Sequence, residues 1–177
     1  MTKFTSIAAI TLAALTAMGA TPAVAQSDFD AHVRLYQQLN RSGVTVTFND
    51  AECWEDNNLF GWYYGPDRQI VICQEHATDM YKEADWTEED LDTLRHEAQH
   101  FVQDCMVGTN YDQEMAPLYE QPVALGKQVM GTESVQNIAE AYSDLDTQSI
   151  ILEIEAFAVA TMNDPDEQVA DIQKYCF

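Results

Sequence analysis

The stretch LRHEAQHFVQDC, residues 94–105, contains the pattern His-Glu-x-x-His at positions 96–100. Two histidines four residues apart lie one turn apart on one face of a helix, so both imidazoles can bind the same zinc ion. Glu97 would lie beside that ion, where its carboxylate can take a proton from a zinc-activated water. The stretch therefore predicts a metal centre, provided that these residues are helical.

The residues around this motif have the features of one long helix. Thr87 and Asp90 have the spacing of a capping box, and acidic residues fill the first turn, where the helix dipole favours them. Apolar side chains then recur at helical spacing; they are Leu91, Leu94, Ala98, Phe101, Val102 and Cys105. We expect a helix at about 87–106 that carries both histidines and Glu97.

The first 25 residues have the composition of a signal peptide. Lys3 supplies a positive charge, residues 7–18 are mainly apolar, and Ala23-Val24-Ala25 forms a small-x-small cleavage site. The apolar run is too short and too rich in Ala and Thr to anchor the chain in a membrane. We therefore predict a signal peptide at 1–25, a single domain at 26–177, and a secreted or periplasmic location.

The charge balance limits the partners of this domain. The chain has 30 acidic and 8 basic residues, a net charge of −22, and loss of Lys3 would leave 7 − 30 = −23. A surface this acidic repels phosphate groups, so we expect neither nucleic acid nor, after cleavage of the signal peptide, a membrane as partner. The acids are scattered and aromatic residues are plentiful, so the composition still predicts a folded domain.

Four cysteines follow the predicted export signal. An even number in an exported chain indicates two disulfides, and three pairings are possible. We favour Cys53–Cys73, which would close a hairpin region, and Cys105–Cys176, which would tie the C-terminus to the motif helix. The chain has no Cys-x-x-Cys, which argues against a cysteine-ligated zinc.

The remaining patterns predict an α+β fold, with a small, mostly antiparallel sheet followed by helices. Alternation and β-branched residues predict a strand at 44–48, and a turn signal at 65–68 predicts a hairpin. Its arms are 60–64 and 69–73. Further helices are expected at 28–40, 134–142, 148–162 and 166–175, and loops at 49–59 and 109–134.

A catalytic zinc takes three protein ligands, so a third ligand must come from elsewhere in the chain. The His96-Glu97-x-x-His100 pattern, with a glutamate on a later helix, resembles the gluzincin class of zinc metalloproteases. That resemblance implies a zincin-like fold and hydrolysis of peptide bonds. Residues 153–156, Glu-Ile-Glu-Ala, look like the Glu-x-(Glu/Gln)-Ala segment of the prenyl-protein-processing metalloproteases, which maps the third ligand onto Glu153. Where that segment continues with an acid, this chain has Phe157.

Two other glutamates compete for the same role. On a helical wheel, Glu155 falls inside the apolar face of its helix, where a buried carboxylate needs a cation or hydrogen bonds. Glu153 falls on a narrow strip of small residues, which is either solvated or packed against the motif helix. Glu140-Ala141-Tyr142-Ser143-Asp144 is similar to the Glu-x-x-Ser-Asp of thermolysin-like enzymes. We favour Glu153, with Glu155 as a near-equal alternative and Glu140 as a rival.

The function that these residues predict is a zinc metalloendopeptidase acting on a peptide or protein substrate, with Glu97 as general base. Donors for the oxyanion could be Tyr142, Tyr119, Tyr111 or His76. By resemblance to zincins, the strand at 69–73 would be an edge strand that pairs with the substrate backbone. Two alternatives stay open: a zinc-binding domain without catalysis, and a disulfide-stapled binding module in which the motif is coincidental.

Overall fold

The computed structural model describes residues 4–7, 22–56, 58–108 and 114–177, with side chains from Phe29 onward in these ranges. The predicted signal peptide lies largely outside them, and its removal stays a prediction. The strands are β1 (Phe4–Ile7), β2 (Thr45–Phe48), β3 (Leu59–Tyr64) and β4 (Gln69–Ile72). The helices are α1 (Pro22–Arg41), α2 (Ala51–Glu55), α3 (Glu88–Cys105), α4 (Pro122–Val129), α5 (Thr132–Ala141), α6 (Thr147–Met162) and α7 (Pro165–Tyr175). The architecture is α+β, as the sequence predicts.

The four strands form one sheet in the order β1-β3-β4-β2. β3 is antiparallel to both β1 and β4, but β2 runs parallel to β4, with Val46 opposite Ile70. Two of the three pairings are antiparallel, so the sheet is mixed but mostly antiparallel, as the sequence predicts. β4 has neighbours on both sides, so the expectation that 69–73 is an edge strand is wrong. Residue alternation predicts a strand but carries no information about which strands flank it.

The predicted hairpin is confirmed. Tyr64 pairs with Gln69, and the connection is one turn of 3-10 helix at Gly65–Asp67. Arg68 closes the turn in the left-handed conformation, with φ of 49°. On β3, Tyr63 points to α3, where its hydroxyl donates a hydrogen bond of 2.6 Å to Asp104. The hairpin is thus fixed against the C-terminal part of α3.

Two segments predicted as loops contain helices. Residues 49–59 hold the short helix α2, where the Asp50 side chain accepts a hydrogen bond from the amide of Ala51. Residues 109–134 hold α4, which begins at Pro122. A Cβ on Gly126 of α4 would lie 2.6 Å from a side-chain carbon of Ile154, so glycine lets α4 pack closely on α6. That contact comes from tertiary packing, which local propensity does not show.

The core fills the space between the sheet and helices α1, α3, α6 and α7. Its fully buried members include Leu35, Leu39, Ile70, Ile72, Leu94, Phe101, Leu152 and Ile172. Both predicted disulfides are present: Cys53–Cys73 joins α2 to the end of β4, and Cys105–Cys176 joins the ends of α3 and α7. None of the described helices is long and apolar enough to cross a membrane.

Candidate metal centre

Helix α3 carries the His-Glu-x-x-His motif, and its start is the predicted one. Thr87 caps it, and the reciprocal hydrogen bonds of the capping box with Asp90 are both present. From residue 96 onward the helix is buried on nearly all sides, including its polar residues His96, Glu97, Gln99, His100, Gln103 and Asp104. Buried polar groups need partners that offset their desolvation, so the neighbours of these side chains decide what α3 can do.

Helix α6 lies against α3 and brings the third candidate ligand. Its N-cap is Asp146, whose carboxylate accepts hydrogen bonds from the amides of Gln148 and Ser149. The strip of small residues on this helix is buried, since Ser149, Ala156 and Ala160 are at most 6% exposed. The strip is therefore a packing surface rather than a solvated one. Glu153 projects from it towards the two histidines.

His96, His100 and Glu153 form a group that could hold a metal ion. Nε2 of His96 lies 3.1 Å from Nε2 of His100 and 3.2 Å from Oε2 of Glu153. Nε2 of His100 lies 3.5 Å from Oε1 of Glu153. Tetrahedral ligands at zinc-bonding distances are roughly 3.3 Å apart, so these three donor atoms have the spacing that such an ion requires. All three residues are buried, Glu153 and His100 completely.

The charges of this group favour a bound cation. Burial by itself would lower the pKa of His100, but the neighbouring Glu153 carboxylate raises it to about 9. Burial by itself would raise the pKa of Glu153, but the two imidazoles lower it to about 2. The carboxylate thus stays ionised and attracts positive charge to the point where the three side chains meet. Either a proton or a metal ion can supply that charge.

Glu97 lies beside this group without belonging to it. Its side chain is completely buried, and its charge is among the groups that raise the pKa of His100. A Cβ atom added to Gly61 would lie 3.7 Å from Cγ of Glu97, so the backbone of β3 passes directly next to this carboxylate. Glu97 is therefore buried against strand β3 and close enough to His100 to affect its charge.

The two competing glutamates lie elsewhere. Glu155 is completely buried, but its carboxylate accepts hydrogen bonds from Gln103 and from the amides of Leu118 and Tyr119. Hydrogen bonds rather than a cation offset its desolvation, and it is not part of the metal-binding group. Glu140 is exposed on α5. Among the described residues, Glu153 is the one of the three candidate glutamates that lies next to the two histidines.

The candidate oxyanion donors are spread over the molecule. Tyr142 is nearest by its contacts: its ring packs on Phe157 at 6.3 Å, and Phe157 packs on His96 at 4.3 Å between ring centroids. Tyr119 lies near Asp171, and burial is the main cause that raises the pKa of its hydroxyl. His76 is exposed and borders a different groove, next to Trp86. Tyr111 lies outside the described residues.

Sequence reasoning missed Gln103 as a residue of this site. Its side chain is completely buried and lies 2.8 Å from Nδ1 of His100, between that histidine and Glu155. The spacing of His100 and Gln103 could have indicated their contact, because residues three apart on a helix are neighbours. A glutamine, however, has no charge to mark it as part of a metal centre.

Comparison with known proteins places the chain in one family. Residues 21–177 match a family model described as a domain of unknown function (DUF8637), and the chain therefore belongs to that family. No curated protein and no solved structure matches the chain significantly.

Proposed function

We propose that this chain is a zinc-dependent peptidase, with His96, His100 and Glu153 as zinc ligands and Glu97 as general base. The observation that carries the proposal is the convergence of three buried donor atoms at tetrahedral spacing, with a second buried carboxylate, that of Glu97, beside them. Two histidines, one carboxylate and one position left for water form a ligand set used by catalytic zinc. When bound, zinc polarises a carbonyl group and acidifies water.

The residues around the ion would then have the following roles. Glu97 accepts a proton from the attacking water and passes it to the leaving amine, a role that suits a buried carboxylate next to the ligands. Glu153 balances the charge of the ion and is held in place by the packing of α6 on α3. The Phe157 ring lies between Tyr142 and His96, so we do not assign the donor to the developing oxyanion to Tyr142.

The position of β3 supports a peptide as substrate. This strand passes next to Glu97, and its outer edge is paired with β1, which consists of residues 4–7. Removal of the predicted signal peptide would free that edge. A peptide backbone could then pair with β3 as an added strand, which would place it beside the general base.

We also infer that the chain is exported. Both disulfides of the structure join distant parts of the chain, and such bonds persist in oxidising compartments. The sequence of residues 1–25 provides the matching signal. A secreted or periplasmic location is consistent with both observations, and sequencing the N-terminus of the exported protein would test it, with Gln26 expected first.

The depth of the site favours a second candidate function, a zinc ion that only stabilises the fold. His96 is 5% exposed, while Glu97, His100 and Glu153 are completely buried. Structural zinc sites are closed in this manner, although they commonly have four protein ligands. In such a protein Glu97 would have no chemical task.

Replacement of Glu97 by Gln separates the two candidates. The mature protein and its E97Q variant would be loaded with zinc and incubated with a library of quenched fluorescent peptides. The peptidase proposal expects equal zinc content and a loss of hydrolysis of about 10²–10⁴-fold in E97Q. The exposed Glu140 provides the matched control, since E140Q should leave both quantities unchanged. Zinc binding without hydrolysis in the unaltered protein, or hydrolysis that survives E97Q, contradicts the proposal.

A further inference from the structure

Gln103 connects the metal-binding group to the chain segment that follows α3. Its Oε1 lies 2.8 Å from Nδ1 of His100. Its Nε2 donates to the carbonyl oxygen of Leu152 at 3.0 Å and to Oε2 of Glu155 at 2.8 Å. Gln103 and Glu155 are both completely buried, so no solvent competes for these hydrogen bonds.

The partners of Gln103 fix which of its two ends faces His100. Leu152 and Glu155 both offer acceptor oxygens, so the amide nitrogen must point to them. The amide oxygen is then left for His100, and because it can only accept, Nδ1 of His100 must carry the proton. In the neutral imidazole the lone pair is therefore on Nε2, the atom that faces His96 and Glu153.

We propose that Gln103 is a positioning residue that holds His100 in the tautomer able to bind metal, and that Glu155 fixes Gln103 and seats residues 118–119 against the site. The proposal rests on the metal centre proposed above and adds to it a role for two residues that are not ligands. Buried groups that orient a metal-bound histidine commonly contribute 10–100-fold to metal affinity.

Glu155 extends the connection to the backbone beyond α3. Its Oε2 accepts a hydrogen bond from the amide of Leu118 at 3.0 Å, and its Oε1 accepts one from the amide of Tyr119 at 2.8 Å. Together with Gln103, three donors thus meet one carboxylate. Phe157, at the position where the resemblance expects an acid, packs its ring on His96 at 4.3 Å between ring centroids.

The test compares two buried glutamines of α3. Q103L removes the acceptor for His100, whereas Q99L alters a side chain that is equally buried and makes no hydrogen bond within the described part of the chain. Zinc affinity would be measured by competition with a chromogenic chelator. We expect affinity about 10–100-fold weaker in Q103L and within about threefold of the original in Q99L.

A second readout does not depend on zinc or on hydrolysis. In the metal-free protein, ¹⁵N–¹H spectra of ¹⁵N-histidine should show a slowly exchanging Nδ1–H of His100, kept in Q99L and lost in Q103L. The double variant Q103E/E155Q keeps an acceptor for His100 and a donor between the two side chains. It should restore at least half of the lost binding energy, a result that a general loss of packing would not give.

The outcomes separate this inference from the proposed function. Weak zinc binding in Q103L with rescue by Q103E/E155Q supports the positioning role, even if no peptide is hydrolysed. Equal zinc affinity in Q103L and the unaltered protein overturns it, whatever the activity. Equal losses in Q103L and Q99L also overturn it, because they would show a packing effect. Absence of zinc binding in the unaltered protein overturns both proposals.

Discussion

Two carboxylates of helix α6, only two residues apart and both completely buried, have opposite surroundings. Glu153 meets two imidazole nitrogens, at 3.2 and 3.5 Å, and attracts a cation to the space between them. Glu155 meets three N–H groups, from Gln103, Leu118 and Tyr119, and is satisfied by them. The comparison shows that burial of an acid indicates only that its charge is compensated. Whether a metal site or a structural anchor results depends on whether its partners are acceptors or donors.

The largest effect should come from Glu153. In E153Q the two histidines keep their places but lose the negative charge that holds the ion. Removing one member of a buried charged group costs about 4 kcal/mol, which corresponds to roughly 1000-fold weaker zinc binding. Isothermal titration with zinc would measure this loss, and the exposed Glu140 offers a control in E140Q. Unchanged zinc affinity in E153Q would show that Glu153 does not bind the ion, and the proposed contrast with Glu155 would then be wrong.

Glu155 should affect folding directly, and the ion only through its hydrogen bond to Gln103. A glutamine at 155 can accept through one atom only, so at least one of the three donors is left facing an amide nitrogen. An unsatisfied buried donor costs about 1–3 kcal/mol, and we expect E155Q to lose that much free energy of unfolding with or without zinc. Urea titrations in the presence and absence of a chelator would measure it. A loss seen only with zinc would assign Glu155 to the metal centre instead.

Zinc itself should distinguish the two glutamates through thermal stability. Binding to the folded state alone stabilises it by about 2.7 kcal/mol at a free zinc concentration 100 times Kd. For a chain of this length, that raises Tm by about 5–10 °C. The rise should persist in E155Q and be absent in E153Q, as measured by differential scanning fluorimetry. An equal rise in Tm in the unaltered protein, E155Q and E153Q would show that zinc binds at another site.

The smallest effect is expected at an acid far from the site. Asp166 on α7 forms an ion pair with Arg34 on α1, and this guanidinium lowers the pKa of the carboxyl below its usual 3.8. A lowered pKa in the folded state stabilises the protein above the unfolded value, and the gain disappears as pH falls through the folded value. Both side chains are about half exposed, so the gain is small.

The variant D166N tests this difference. At pH 7 it should unfold at a slightly lower urea concentration than the unaltered protein, and the gap should close as the pH falls below about 3.8. Zinc affinity should not change. A gap that widens on acidification would contradict the direction of the pKa shift.

Local patterns predicted several parts of the molecule well. The bounds of α3 follow from its capping box and its apolar spacing, and the structure places them within a residue or two of 87–106. The sequence also predicts a helix at 148–162, and α6 is observed at Thr147–Met162. The hairpin follows from a turn signal between two β-rich runs. In each case the deciding interactions connect residues only a few positions apart, so the sequence contains them directly.

Other features depended on contacts between distant residues. The parallel pairing of β2 with β4 and the interior place of β4 follow from how the chain returns to the sheet, which alternation does not encode. Helix α4 was missed because its packing on α6 through Gly126 outweighs the loop-like composition around it.

By itself, the sequence determined that His96, Glu97 and His100 share one helix, and it reduced the candidates for a third metal-binding side chain to a few glutamates. Only the tertiary structure decided between Glu153 and Glu155, which had received nearly equal support. The physical reason is that both acids are compensated by partners more than 30 residues away: His96 and His100 for one, and Gln103, Leu118 and Tyr119 for the other. Helical periodicity gives the direction of a side chain, but not the chemistry of the group that it meets.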